Sequence, residues 1–126
     1  MLTSSTAGLY GFPNRAPYAA AKWGIIGLMK TLAMEWGPEG VRANAICPGA
    51  VEGPRMQGVM EREAAAKGTS YQHIYDGYAG GTSMRSLVTA EDVANMALFL
   101  CSKGARLVSG QVIAVDGHTE NPDPKV

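Results

Sequence analysis

The sequence predicts an α/β chain built on a thin parallel sheet, and three observations carry that expectation. Two long helical segments alternate with short apolar runs. Those runs lack the strict in–out alternation of a sheet with one wet face. The resulting order of strand end, helix, strand, irregular stretch, helix and strand favours parallel pairing through right-handed crossovers. Three strands make a narrow sheet, and parallel strands need neighbours and covered faces, so the chain reads as the second half of something larger.

Taken in order, residues 2–16 read as a strand end followed by a loop, because Gly8, Gly11, Pro13 and Asn14 interrupt any regular element. The segment PYAAAKWGIIGLMKTLAMEW, from Pro17 to Trp36, is a helix: Pro suits its first turn, and Ala, Leu and Met dominate it. Gly37 and Pro38 stop it. Ile25, Leu28, Leu32 and Trp36 form one apolar stripe, with Ile26, Met29 and Ala33 beside it. The apolar surface is wider than one core contact requires, so a sheet on one side and a partner subunit on the other are expected, with Gly24 and Gly27 permitting close approach. Val41–Cys47 in VRANAICPG reads as a buried strand that runs into a Pro-Gly loop. Glycines at 53, 58, 68, 77, 80 and 81 break up the next stretch, leaving short helices near 55–67 and 70–79 in a lid or substrate loop of about 53–88. Thr89 is an N-cap for TAEDVANMALFLCS, with Glu91 and Asp92 in the first turn and Val93, Met96, Ala97 and Leu100 at helical spacing. QVIAV, residues 111–115, is a last buried strand, and about 119–126 is a loose tail.

Composition narrows the function classes. The 126 residues carry 11 Lys+Arg against 11 Asp+Glu, and no basic run or aromatic-interleaved basic patch suggests nucleic acid. No apolar run approaches the roughly 20 residues of a membrane span, and the start lacks the pattern of a signal peptide. Cys47 and Cys101 stand apart in apolar surroundings without metal-ligand spacing, so both are expected to be buried free thiols, and no metal site is expected. A cytoplasmic, reducing setting follows as the expectation.

Tyr18 and Lys22 sit four residues apart on the first helix, which places their Cβ atoms about 5–6 Å from each other on one face. A phenol with a pKa of about 10 is scarcely ionised at neutral pH, and each unit of downward shift needs about 1.4 kcal/mol. An ammonium near 4 Å at an effective dielectric of about 20 contributes about 4 kcal/mol before solvation losses. The pair can therefore give and take a proton near neutrality. Such pairs also recur by chance; the setting is what distinguishes this one. A serine lies 13 residues before the tyrosine, at a strand end, joined to it by a glycine-rich turn.

The constellation resembles the short-chain dehydrogenase/reductase family, in which a serine, a tyrosine and a lysine at S-x12-Y-x3-K spacing are catalytic. That spacing selects Ser5 over Ser4, with Tyr18 and Lys22. The resemblance runs from SSTAGLYGFPNRAPYAAAK through VRANAICPG to SGQVIAVDG and covers most of the chain. It implies the C-terminal part of a Rossmann-like doubly wound parallel sheet. The implied chemistry is hydride transfer between a nicotinamide, NAD or NADP, and a small carbonyl or alcohol substrate. Tyr18 would move the proton, Ser5 would hydrogen-bond the reacting oxygen, and Lys22 would tune Tyr18 and bind the nicotinamide ribose. Pro48, Gly49 and the backbone of Val51 would wrap the nicotinamide. A dimer or tetramer is implied for the full-length parent.

Two departures limit what is carried over. Gly53 stands where a threonine is common, so that side-chain contact to the cofactor is not carried over. Nothing matches the family's glycine-rich G-x-x-x-G-x-G turn, its residue that chooses between NAD and NADP, or its upstream asparagine. The chain is expected to correspond to a C-terminal half, through an internal methionine or a true truncation, and to be inactive alone. A non-catalytic remnant or assembly module, and a fragment of an extended-branch epimerase or dehydratase, are the alternatives.

Other residues read more plainly. Tyr71, Tyr75 and Tyr78 share a helical face, either packed under the lid or touching substrate. Met56 and Met60 suit an apolar pocket or fill gaps. His73 and His118 read as surface or satisfied histidines, Asp116 and Gly117 as a turn, and Trp23 and Trp36 as core or interface anchors.

Overall fold

The computed structural model describes residues 1–123. Three parallel strands, β1 (Leu2–Thr3), β2 (Ala45–Pro48) and β3 (Val112–Val115), lie side by side in that order. Between β1 and β2 runs α1 (Ala16–Trp36); between β2 and β3 come α2 (Pro54–Lys67), α3 (Tyr71–Gly80) and α4 (Ala90–Cys101). Ala45 pairs with Leu2 on one side and Val112 on the other, and the β2–β3 ladder continues to Pro48 opposite Val115. The predicted α/β class and parallel sheet are what the chain adopts.

The central strand is the most deeply buried, with Ala45, Ile46 and Cys47 almost inaccessible. That burial explains its unalternating apolar sequence, since both faces are covered. Its start lies later than the expected Val41. Val41 is exposed because its N–H still bonds to the Trp36 carbonyl, closing the end of α1 across Gly40, which has φ 76°. Residues 42–44 are held mainly by the loop before β3, although the Asn44 carbonyl already accepts from the Leu2 N–H of β1. The Arg42 guanidinium and the Asn44 amide donate to the Val108 carbonyl, and the Ala43 N–H donates to Ser109 Oγ.

Two apolar clusters organise the chain. Under α1, Met29, Ala43 and Ala45 are buried with Leu2, Leu32, Ala33 and Val112 around them. Met29 is therefore the centre of the buried face, where Leu28 and Trp36 were expected. Those two are half exposed, together with Trp23, and Met34 is 81% exposed. Neither tryptophan is a core anchor. The second cluster joins α2 and α3 through Met60, Ala64, Ile74, Ala79 and Leu87.

Helix α4 begins as expected. Thr89 Oγ1 accepts from the Asp92 N–H while the Asp92 carboxylate accepts from the Thr89 N–H, a reciprocal capping box. Cys101, at the helix end, is exposed rather than buried, because this end of α4 faces outward along with Leu98 and Phe99; only Cys47 is a buried thiol. Of the expected tail, Glu120 and Asn121 donate their N–H groups to the Gly81 carbonyl and Thr119 forms an antiparallel bridge with Thr82. Residues 124–126 lie outside the described residues.

Candidate functional site

All three strands point their C-terminal ends to one edge of the sheet, the edge where α/β sheets bind ligands. A cleft of about 520 Å³ opens there, and Ser5, Tyr18, Lys22, Pro48, Gly49 and Val51 all line it. The residues come from three separate places: the turn after β1, the first two turns of α1, and the loop after β2.

The turn after β1 separates the two serines by role. Ser4 is 3% exposed, and its hydroxyl donates to the Lys22 carbonyl at 2.8 Å, pinning α1 to the strand end. Ser5 caps the short 3-10 turn Thr6–Gly8: its Oγ accepts from the Ala7 N–H at 3.1 Å, which leaves its own O–H free to donate into the cleft. Glycine is required at position 8, because a Cβ there would lie 3.0 Å from the Lys22 carbonyl oxygen and collide with Ser4 Oγ. The turn thus rests directly on the backbone of α1.

On α1 the Lys22 ammonium lies 5.5 Å from the Tyr18 ring centroid and donates to the Thr3 carbonyl at 3.3 Å. One of its three donors is used in this way, and the phenol stands partly exposed on the cleft side. Beneath them, Cys47 is pushed up from its ordinary pKa mainly by burial, an inert thiol rather than a reactive one.

The loop after β2 is fixed by close approach. Gly49 donates its N–H to the Val115 carbonyl, and a Cβ on it would sit 2.9 Å from Asp116 Cβ, so the two loops meet where only glycine fits. Asp116 makes the turn expected of it: its buried carboxylate accepts from the N–H groups of His118 and Thr119 and from the Thr119 hydroxyl. Val51 forms a parallel bridge with Val88, in which Val88 N–H bonds to Ala50 and Glu52 N–H bonds to Val88. Such a bridge turns the N–H and C=O of Val51 itself away from Val88. Gly53 has φ 148°, a conformation that a threonine would adopt only under strain.

The far wall comes from α2 and α3. Met56 lines the cleft, while Met60 is fully buried beneath it. Tyr78 also lines the cleft, and its hydroxyl donates to Glu63 at 3.0 Å; burial and that carboxylate push its pKa up to about 12. Tyr75 donates to Glu52 at 2.6 Å, and its ring makes a tilted contact with Tyr71. The expected single tyrosine face is thus divided between packing and cleft. The His73 backbone N–H donates to Ser70 Oγ at the start of α3, and the exposed His118 ring contacts the Ser83 hydroxyl. Sequence reasoning missed Phe12, Arg15, Arg55 and Val59 in the lining. They carry no motif, and only the convergence of loops distant in sequence brings them together. Among the described residues no group of His, Cys, Asp and Glu could hold a metal, and no helix is long and apolar enough to cross a membrane.

A three-stranded parallel sheet with helices between its strands and a cleft at its carboxyl edge is the Rossmann-like α/β arrangement. A family model described as enoyl-(acyl carrier protein) reductase matches residues 1–118. The chain is 39% identical over 114 residues to the 3-oxoacyl-(acyl-carrier-protein) reductase FabG of Thermotoga maritima, covering 90% of this chain and 42% of that one. It is 36% identical over 115 residues to the D-beta-hydroxybutyrate dehydrogenase of Rhizobium meliloti, covering 90% and 45%. Among solved structures, levodione reductase superposes with a TM-score of 0.82 at 31% identity over 91% of this chain and 43% of that one. A variant of actinorhodin polyketide ketoreductase with NADPH does so with 0.85 at 33% identity, over 94% and 46%. The chain belongs to the short-chain dehydrogenase/reductase family, a family of oxidoreductases. It spans under half the length of these curated relatives.

Proposed function

We propose that the protein carrying this chain transfers hydride between a nicotinamide cofactor and a small carbonyl or alcohol substrate, with Ser5, Tyr18 and Lys22 as its catalytic residues. The observation that carries this reading is that these three side chains and the 48–51 loop line one cleft at the carboxyl edge of the sheet. The residues fit a nicotinamide. Lys22 keeps two donors for ribose hydroxyls, Pro48 and Gly49 form a closely packed wall, and Val51 turns its own backbone groups away from Val88.

When bound, the nicotinamide supplies or accepts the hydride. Tyr18 gives its hydroxyl proton to the carbonyl oxygen in reduction and takes it back in oxidation. Ser5 donates a hydrogen bond to the same oxygen as charge develops there. Lys22, held by the Thr3 carbonyl, places its ammonium beside the Tyr18 ring and keeps donors for the ribose hydroxyls. Glycine at 53 takes the backbone conformation at the start of α2 without offering a side chain to the cofactor.

The isolated 126 residues should bind dinucleotide poorly and turn over little, since no glycine-rich turn following a strand is present to cradle the pyrophosphate. A second reading, an assembly module, is favoured by the exposed Trp23, Leu28, Met34 and Trp36 on α1. In the parent protein, that face would serve a homo-oligomer. The test follows NADH and NADPH oxidation with a panel of ketones and aldehydes, for the 126-residue chain and for a protein that joins it to a glycine-rich strand–helix half. Turnover by the joined protein alone supports the catalytic reading. Tight, saturable dinucleotide binding by the 126 residues would refute the claim that they lack the cradle, and a stable oligomeric joined protein with neither binding nor turnover would favour the assembly module.

A further inference from the structure

The charges that line the cleft are not balanced. Its two acids are already engaged: Glu52 accepts from the Tyr75 hydroxyl, and Asp116 from three donors in its own turn. Its cations are Lys22, Arg15 and Arg55. Lys22 is tied to the Thr3 carbonyl, but the guanidinium groups of Arg15 and Arg55 make no side-chain hydrogen bond or ion pair among the described residues. Arg15 acts electrostatically on the Tyr78 phenol, which the carboxylates of Glu63 and Asp123 also influence.

The placement of the two arginines is specific. Arg15 is the N-cap residue of α1, three positions before Tyr18, and both residues line the cleft. Arg55 lies on the opposite wall in the first turn of α2, beside Met56 and close to Val59, which present apolar surface. A molecule whose reacting oxygen lies at Tyr18 would therefore share its cleft with two guanidinium groups and with the apolar surface of Met56 and Val59.

We propose that the substrate carries an anionic group, a carboxylate close to its carbonyl or alcohol carbon, and that Arg15 and Arg55 bind it. This rests on the oxidoreductase reading and narrows its substrate class to short oxo acids and the corresponding hydroxy acids. In the reduction, hydride from the nicotinamide adds to the carbonyl carbon and the C=O π pair moves to oxygen, which takes the Tyr18 proton. The carboxylate is unchanged and serves as the handle. A guanidinium matches a carboxylate in a two-point hydrogen-bonded fork, and charge-assisted bonds of this kind are about twice as strong as neutral ones.

The test uses the catalytically competent protein with β-keto carboxylates of four to eight carbons, each beside its methyl ester, which keeps the carbonyl and removes the charge. The acid should exceed the ester in kcat/KM by about tenfold or more, mostly through KM. Arg15→Gln and Arg55→Gln should each shrink that ratio several-fold. Arg55→Lys, which keeps the charge but loses the fork, should retain part of it. Both arginines are exposed, so the variants should fold. Equal use of acids and esters would overturn the anionic substrate and leave the oxidoreductase reading intact. A loss of NADH or NADPH affinity in the glutamine variants, with the acid-to-ester ratio unchanged, would assign the arginines to cofactor phosphate and overturn the proposal. Failure to reduce any ketone or aldehyde, charged or neutral, would remove the oxidoreductase reading itself.

Discussion

Ser4 and Ser5 are adjacent in sequence, yet their substitution should produce opposite phenotypes. Ser4→Ala removes a 2.8 Å hydrogen bond from a side chain that is 3% exposed. The acceptor, the Lys22 carbonyl, belongs to α1 and retains its place in the helical hydrogen-bond pattern, so the loss should be near that of one net buried hydrogen bond, about 1–2 kcal/mol. With a urea m-value of about 2 kcal/mol/M for a small domain, the unfolding midpoint should fall by about 0.5–1 M. Ser5→Ala removes a cap on a three-residue 3-10 turn, worth about 0.5–1 kcal/mol, and also the hydroxyl that the proposed mechanism assigns to the reacting oxygen. Turnover should then fall about 100-fold or more, the scale found for loss of one donor to a developing oxyanion. Urea unfolding and steady-state kinetics on both variants test this directly. If Ser4→Ala abolished turnover at unchanged stability while Ser5→Ala kept it, the division of labour between the serines would be wrong.

Other perturbations follow from single contacts. Gly49→Ala should destabilise the fold by about 1–3 kcal/mol in urea unfolding, because the new methyl meets Asp116 at 2.9 Å; an unchanged midpoint would mean the loops can separate freely. Thr89→Ala should cost about 1 kcal/mol through loss of the α4 cap. Hydrogen bonds from Thr89 hold the Asp92 carboxyl below its ordinary pKa, so their contribution is present above about pH 4 and is lost as pH falls through the lower folded value. The stability gap between wild type and Thr89→Ala should therefore narrow in acid, and a gap that widened would contradict the cap. Burial and Glu63 raise Tyr78 to about 12, so its neutral form stabilises the fold fully below the unfolded phenol's value near 10, and that contribution is lost as pH rises through about 12. Ultraviolet titration should show a late tyrosine step that disappears in Tyr78→Phe; persistence of the step would place it elsewhere.

Much of this arrangement was legible in local signals. Helix α1 and helix α4 announce themselves through Pro17, the Gly37–Pro38 stop and the Thr89 cap, because helix ends depend on groups within a few residues. The spacing of Ser5, Tyr18 and Lys22 brought those residues to one cleft with Pro48, Gly49 and Val51. What escaped depends on contacts between distant segments. Leu28, Trp36 and Cys101 are as apolar as their buried neighbours, and only the angle at which each helix meets the sheet leaves them exposed. Val41 looks like a strand residue but completes the end of α1. Arg15 and Arg55 are ordinary surface arginines in the sequence, and they face one cleft only because α1 and α2 both start at the carboxyl edge of the sheet.

The most direct measurement of the central claim is the effect of Tyr18→Phe on NADH- or NADPH-dependent carbonyl reduction by the catalytically competent protein. The substitution keeps the ring beside the Lys22 ammonium and removes only the hydroxyl that the proposed mechanism uses as proton donor. The rate should fall by about a thousandfold, within the range for loss of a positioned acid, while the dissociation constant for the reduced cofactor stays within about threefold. Retained turnover in Tyr18→Phe would contradict the account.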